Sequence, residues 1–336
     1  MNKLIRSTYA LLALILAAGC ALARQSTVYT TVVSTGAYVV GAANSQTGLF
    51  FQHPSEDTLW HHTGWARIRA FGAAVDPGKK GQRCFIAAGN GVHRTSDGGR
   101  SWRVTTGWRS CEVLSLAIDP ADPAVLYAAT PYGIFRTPDD CATWEERNEG
   151  LAALPFTSCV IVDRSDASRV YSSTEDGVYL STNAGGNWSR MALSVRGIRV
   201  IAQNPKDPAM LVAGTEDNGI YISRDRGRVW TKSEAGIDHS TFYTVAFDPA
   251  RPDVMYAGGY VTGVYKSADG GGSWKRVNDG LTNLNIHSIA VDPTESSRIY
   301  AASMGGGIFR SDDAGGHWRL AGLEGSEVWF VTILPF

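Results

Sequence analysis

Charge of one sign, cysteine and long apolar runs are all scarce in this chain of 336 residues. Lys plus Arg number 31 against 32 Asp plus Glu, a net charge of −1. That balance removes the electrostatic reason to bind nucleic acid, and no nucleic-acid partner is expected. After residue 25 no apolar run is long enough to cross a bilayer, and no stretch has convincing amphipathic helical periodicity. Only Cys84, Cys111, Cys141 and Cys159 follow that point, none of them in a CxxC, so no metal site and no cofactor are expected. In an oxidising compartment these four are free to form disulfides, with three pairings that sequence does not choose between.

The one long apolar run stands at the start. In "MNKLIRSTYALLALILAAGCALARQS", Lys3 and Arg6 form a basic region, Tyr9 to Ala18 an apolar region, and Ala21-Leu22-Ala23 a small-x-small cleavage site. Residues 1–23 read as an export signal peptide, giving a periplasmic, cell-surface or secreted chain. "LAAGC" is also similar to a bacterial lipobox, in which Cys20 is lipidated and holds the domain on a membrane surface. Soluble export is the expectation and lipid anchoring the alternative.

Glycine and aromatics are plentiful: 37 Gly, 10 Trp and 13 Tyr suggest short strands joined by tight turns. The tryptophans keep time. "TSDGGRSW" ends at Trp102, "TPDDCATW" at Trp144, "STNAGGNW" at Trp188, "SRDRGRVW" at Trp230, "SADGGGSW" at Trp274 and "SDDAGGHW" at Trp318, with a degenerate "PSEDTLW" at Trp60. The spacings are 42, 42, 44, 42, 44 and 44 residues. A period of roughly 40–50 residues is that of one four-stranded propeller blade. Each period carries an apolar strand ending in Asp-Pro ("SIAVDP"), a second strand ("RIYAAS"), a third after a glycine turn ("GIFRS"), and a fourth opened by the tryptophan motif. We label these strands A to D, innermost to outermost.

The expected fold is all-β, one seven-bladed propeller over residues 26–336. Its last blade takes strand A from Val328–Phe336 and strands B to D from "YVVGAAN", "TGLFF" and the Trp60 motif. The competing reading makes "TVYTTVV" (Thr27–Val33) an A strand and the C-terminal strand a surplus.

These motifs resemble the Asp-box, or bacterial neuraminidase repeat, whose pattern is Ser/Thr-x-Asp-x-Gly-x-Thr-Trp. The resemblance implies boxes on the outer edge of a propeller, with structural roles. The turn carboxylate accepts backbone N–H groups, the glycine takes positive φ, and the tryptophan locks the motif down. Asp97, Asp139, Asp225, Asp269 and Asp313 fill the acidic position, with Asn183 in the third copy. Trp102, Trp144, Trp188, Trp230, Trp274 and Trp318 close the boxes.

Ligands of propellers usually bind where the loops enter strand A. Aligned there, Ala70, Val113, Thr157, Ile198, Phe242, Ile286 and Val328 form a nearly uniform apolar column. The next residue varies: Phe71, Leu114, Ser158, Arg199, Tyr243, His287 and Trp329. Arg69, Glu112, Asn285 and Glu327 precede the first column. An irregular column with aromatics and charges on adjacent blades is the expected ligand face, made of Arg69, Phe71, Arg199, Tyr243, His287, Glu327 and Trp329. No catalytic residue is assigned. Among Asp-box enzymes, sialidases carry a Phe/Tyr-Arg-Ile-Pro stretch, and "WARIRAF" lacks its proline. Xyloglucanases place one carboxylate on each of two propellers, as cleavage by paired acids requires. The resemblance to sortilin-type and photosystem II assembly-factor propellers implies instead an exported, monomeric binding scaffold for a protein, peptide or glycan. Glycoside hydrolysis is the alternative.

Overall fold

The computed structural model describes residues 26–35, 47–53, 56–107, 110–153, 155–193 and 195–335. Residues 1–25 with Cys20, the "YVVGAAN" stretch and Phe336 lie outside the described residues. Seven four-stranded antiparallel sheets make up the fold, a β-propeller. Blade one runs Ala70–Val75, Cys84–Ala88, Gly91–Thr95 and Arg103–Val104 from strand A to strand D. Blade four runs Ile198–Gln203, Leu211–Thr215, Ile220–Ser223 and Thr231–Ser233, and blades two, three, five and six repeat this order. Each A strand lies beside the A strands of the next and previous blades, and the seventh meets the first, so these strands form the inner ring.

The second strands explain the apolar runs. Leu126–Thr130, Val170–Thr174, Met255–Gly259 and Ile299–Ser303 are buried at every residue, because blades cover both of their faces. Such strands read as continuous apolar runs, not as alternation. Small residues let the blades meet: a Cβ on Gly258 would stand 2.7 Å from the Ile286 side chain of the next blade.

Closure uses both ends of the chain. The last blade has the order Glu327–Pro335, Ser26–Ser34, Gly48–Gln52, His61–Thr63. The C-terminal strand is therefore strand A, as its pattern predicts. Strand B, however, is Ser26–Ser34, so "YVVGAAN" does not hold that place and "TVYTTVV" is not an A strand. The physical reason is that Thr30 pairs with Val331 on one side and Phe50 on the other. Both Thr30 and Thr31 are fully buried, and the Thr30 hydroxyl donates to the Phe330 carbonyl at 2.7 Å. A β-branched run with partners on both edges is an interior strand.

The box turns are nearly identical from blade to blade. In each, Oδ1 of the acidic residue accepts the hydroxyl of the Ser or Thr two residues earlier and the backbone N–H four residues later. For Asp97 these are Thr95 at 2.8 Å and Ser101 at 2.9 Å; for Asn183 they are Ser181 at 2.8 Å and Asn187 at 2.9 Å. The hydrogen bond from the Ser101 hydroxyl is the main cause that brings Asp97 down to about 2, and Ser273 does the same for Asp269. The tryptophans then fasten one blade to another. Indole N–H groups of Trp188, Trp318 and Trp60 donate to carbonyls of Arg147, Val277 and Ala321 on the preceding blade at 2.7, 2.8 and 2.8 Å. Trp102 and Trp230 bond instead to Gly99 and Gly227 of their own boxes, at 3.0 Å each. A second set of acids is hidden at the end of strand A. Asp119, Asp163, Asp248 and Asp292 are buried, and each accepts the N–H two residues on at 2.8 or 2.9 Å.

None of the three disulfide pairings is made: Cys84, Cys111, Cys141 and Cys159 are all free. Cys84 donates to the Gly81 carbonyl at 3.2 Å within its own turn, and Cys141 packs with Phe85 and Phe135. Burial pushes both thiols up to about 12, which leaves them protonated and inert.

Replacing the fully buried Trp318 by alanine (Trp318→Ala) should cost about 3–5 kcal/mol, the range for emptying a large aromatic site. Trp102→Ala, at a half-buried position bonded within its own box, should cost clearly less in the same denaturant titration.

Candidate functional site

The uniform and the irregular columns differ in backbone geometry. Ala70, Val113, Thr157, Ile198, Phe242, Ile286 and Val328 are all fully buried. In blade one the A–B ladder pairs Ala70 with Ala88 and then Gly72 with Ala87, so Phe71 has no opposite partner. The same skip isolates Ser158, Arg199, His287 and, in the closing blade, Trp329. Tyr243 and Leu114 stand just before their A strands and bond through their backbone N–H groups to Gly258 and Ala129. Five of the seven variable residues are therefore β-bulge residues. A bulge releases one residue from the ladder and re-aims its side chain, which is why this column is free to vary.

Freed in this way, the aromatic members meet across the blades. The Tyr243 and His287 rings lie 4.9 Å apart at 30°, and His287 and Trp329 lie 4.3 Å apart at 31°. Trp329 meets Phe71 edge to face at 5.1 Å, and the Arg69 guanidinium sits 5.3 Å over the Phe71 ring. One continuous arc thus joins blades five, six, seven and one. Burial lowers His287 to about 4, so its imidazole is neutral at ordinary pH. Burial also raises the Tyr243 phenol, with the Arg199 charge opposing it. The indole N–H of Trp329 is buried and has no hydrogen-bond partner among the described residues.

Arg199 and Glu327 stand apart from that arc. Arg199 bonds to Glu216 and lies 3.2 Å from Glu175, so the acids of both "TED" turns converge on one guanidinium. It also sits 5.8 Å over the Phe156 ring. Its charge is matched within the protein, so it is not an open receptor for an anion. Glu327 is half-buried where the closing strand begins, paired with Ser34, and has no ion pair among the described residues. Glu112 accepts a hydrogen bond from the Tyr132 hydroxyl at 3.1 Å.

The loops contribute residues that column alignment misses. Trp65, Tyr132, Phe156, Tyr260 and Val261 are all exposed, and all lie in B–C turns or in loops entering strand A. Val261 is 49% exposed and has φ +57°, a conformation costly for a β-branched side chain. The turn is held there: the Val261 N–H donates to Asn285 Oδ1 at 2.9 Å, and Thr262 Oγ1 donates to the Tyr260 carbonyl at 2.9 Å. Comparison of turn with turn could have found it, since "TEDG" in blade three becomes "GYVTG" in blade five.

No family model and no curated protein matches this sequence. Solved structures do. The GH74 enzyme of Niastella koreensis superposes with a TM-score of 0.61 at 19% identity, over 82% of this chain and 47% of that one. A YCF48 structure bound to D1 peptide gives a TM-score of 0.57 at 15% identity, over 74% and 81% of the two chains. YCF48 from Cyanidioschyzon merolae gives 0.56 at 16%, over 74% and 84%. The chain spans about half the length of the GH74 enzyme. At these identities the likeness is one of fold: the neighbours are seven-bladed propellers.

The neutral histidines set a pH window. Both His287 and the fully buried His93 sit at about 4 when folded, against 6.5 ordinarily. Between these values the unfolded chain binds protons that the folded chain refuses, so stability falls as pH drops from 6.5 towards 4. Each group adds a slope of up to about 1.4 kcal/mol per pH unit. In His287→Phe the slope of unfolding free energy against pH should shrink, while an unchanged slope would contradict the burial of this ring.

Proposed function

We propose that this chain is an exported binding scaffold that takes an extended peptide or protein segment on the face where the A strands begin. The observation that carries the reading is the arc from Tyr243 through His287 and Trp329 to Phe71, with Tyr260 and Val261 exposed in the B–C turn of blade five. A sugar platform needs open ring faces, whereas these rings pack against one another, two pairs tilted by about 30° and one edge to face. An apolar rim with mixed aromatic and aliphatic tips suits the side chains of a peptide better. The fold likeness to a YCF48 structure bound to D1 peptide supports that preference. The box turns fit the Asp-box pattern, and their indoles, buried at Trp188, Trp274 and Trp318 and half-buried at Trp102, Trp144 and Trp230, support a structural role for them, as do their hydrogen-bonded carboxylates.

The second reading, glycoside hydrolysis, rests on the fold likeness to GH74 enzymes and on the mouth acids. Hydrolysis by two carboxylates needs one acid as proton donor and another as base or nucleophile across the sugar. Glu175 and Glu216 instead share Arg199, and Glu112 is bonded to Tyr132.

Parallel peptide and oligosaccharide arrays probed with the exported chain test the choice. Peptides should be retained, and Tyr243→Ala or Trp329→Ala should weaken the best of them about thirtyfold, some 2 kcal/mol, with melting little changed. Leu114→Ala and Ser158→Ala, at matched positions across the mouth, should stay within about threefold of the parent, since neither truncates a central anchor. Steady turnover of an oligosaccharide would replace this reading with the second one. Export is part of the proposal: intact mass of the chain recovered from an exporting cell should show cleavage after Ala23. A lipid on Cys20 would make it a membrane-anchored scaffold, and an uncleaved chain would remove export.

A further inference from the structure

The B–C turns of blades four, five and six share one backbone requirement. Two residues after each B strand ends, the chain enters the left-handed region: Asp217 at φ +66°, Val261 at φ +57° and Gly305 at φ +86°. Glycine meets that requirement at no steric cost and aspartate at a small one, whereas a β-branched side chain suits it worst. Among the described residues Val261 is the only β-branched one with positive φ.

The hydrogen bonds of the turn do not call for valine. The Val261 N–H donates to Asn285 Oδ1 at 2.9 Å, and its carbonyl lies 3.0 Å from His239 Nε2. Arg276 Nη2 donates to His239 Nδ1 at 3.3 Å, which puts the ring proton on Nε2, facing that carbonyl. Both bonds use main-chain atoms of residue 261, which asparagine or glycine would offer equally. The core does not call for valine either, since Val261 is 49% exposed and Tyr260 before it 56%. The loops entering blades five and six thus hold from both sides a conformation that the side chain itself resists. Strain held in this way by its surroundings collects where a ligand is gripped.

The turn is tied to the two segments that carry the aromatic arc. Thr262 Oγ1 donates to the Thr241 carbonyl at 3.0 Å, two residues before Tyr243, and Asn285 stands two residues before His287. Burial is the main cause that raises the Tyr243 phenol, and Tyr260 adds to it, so the two rings are within electrostatic reach. An isopropyl group makes no hydrogen bond, and the surface that it matches is apolar.

We propose that Val261 is a specificity-determining contact of the mouth, fixed before binding so that its isopropyl group meets one apolar side chain of an extended peptide lying along the arc. The proposal rests on the peptide reading above and names what that peptide must carry. Fixing the contact in advance spares the complex the cost of ordering the turn.

A substitution scan of the best-retained peptide, made with the exported chain and with its Val261→Asn and Val261→Ile variants, tests it. With the parent, one peptide position should demand an apolar side chain. Val261→Asn should lose that demand and weaken the peptide about tenfold, the effect of losing one buried apolar group of this size. The same variant should raise the melting temperature by about 2 °C, because asparagine accepts the left-handed backbone. Val261→Ile, which keeps a branched apolar group, should keep the demand. A Val261→Asn chain that binds within about twofold of the parent, or that melts below it, would overturn the proposal. So would a parent indifferent to polarity at every peptide position. A parent that retains no peptide would remove the peptide reading and the contact together, whereas a parent that retains peptide beside an equally retentive Val261→Asn removes the contact alone.

Discussion

The pairing of Ser26–Ser34 with Glu327–Pro335 is the constraint on which everything else in the ring rests. Every other blade is continuous in sequence and would keep its sheet if the circle opened. The seventh exists only because two strands some 300 residues apart, as in Thr30 and Phe330, find each other. The two bulges in that ladder, around Val32, show that the fit is made against the twist of a closed ring and not as a flat hairpin. Closure also removes the sheet edge that an open array would present to other chains.

The same strand supplies the middle of the candidate site. Trp329 is the bulge residue of the closing strand, and it touches His287 on one side and Phe71 on the other. The strand that closes the ring therefore also places the middle of the aromatic arc. The logic of the repeat separates two tasks within adjacent residues. The first column is fully buried and must be apolar, since it holds blade to blade. The next residue is released from the ladder in five blades and answers to what it faces. Stability and recognition can change independently under that arrangement, as in other repeat folds.

Much of this was legible in the sequence. The period of the tryptophans predicted seven blades, and the varying column after the buried one marked the residues that the bulges release. What was not legible has physical causes. "TVYTTVV" could not be placed because a β-branched run suits any interior strand, and only its two partners make it strand B. Bulges leave no spacing signal of their own. Pairing of Arg199 with Glu175 and Glu216 joins residues of neighbouring blades that no local pattern connects. The exposed tips Trp65, Tyr132 and Val261 lie in loops, where periodicity gives no guide.

Amide hydrogen exchange of the full chain tests the central claim, that the two termini close the ring as one sheet. Thr30 and Thr31, fully buried between two paired strands, should exchange as slowly as Ala128 and Ala129 in the middle of blade two. Exchange of Thr30 and Thr31 at the rate of a frayed terminus, while Ala128 and Ala129 remain protected, would contradict it.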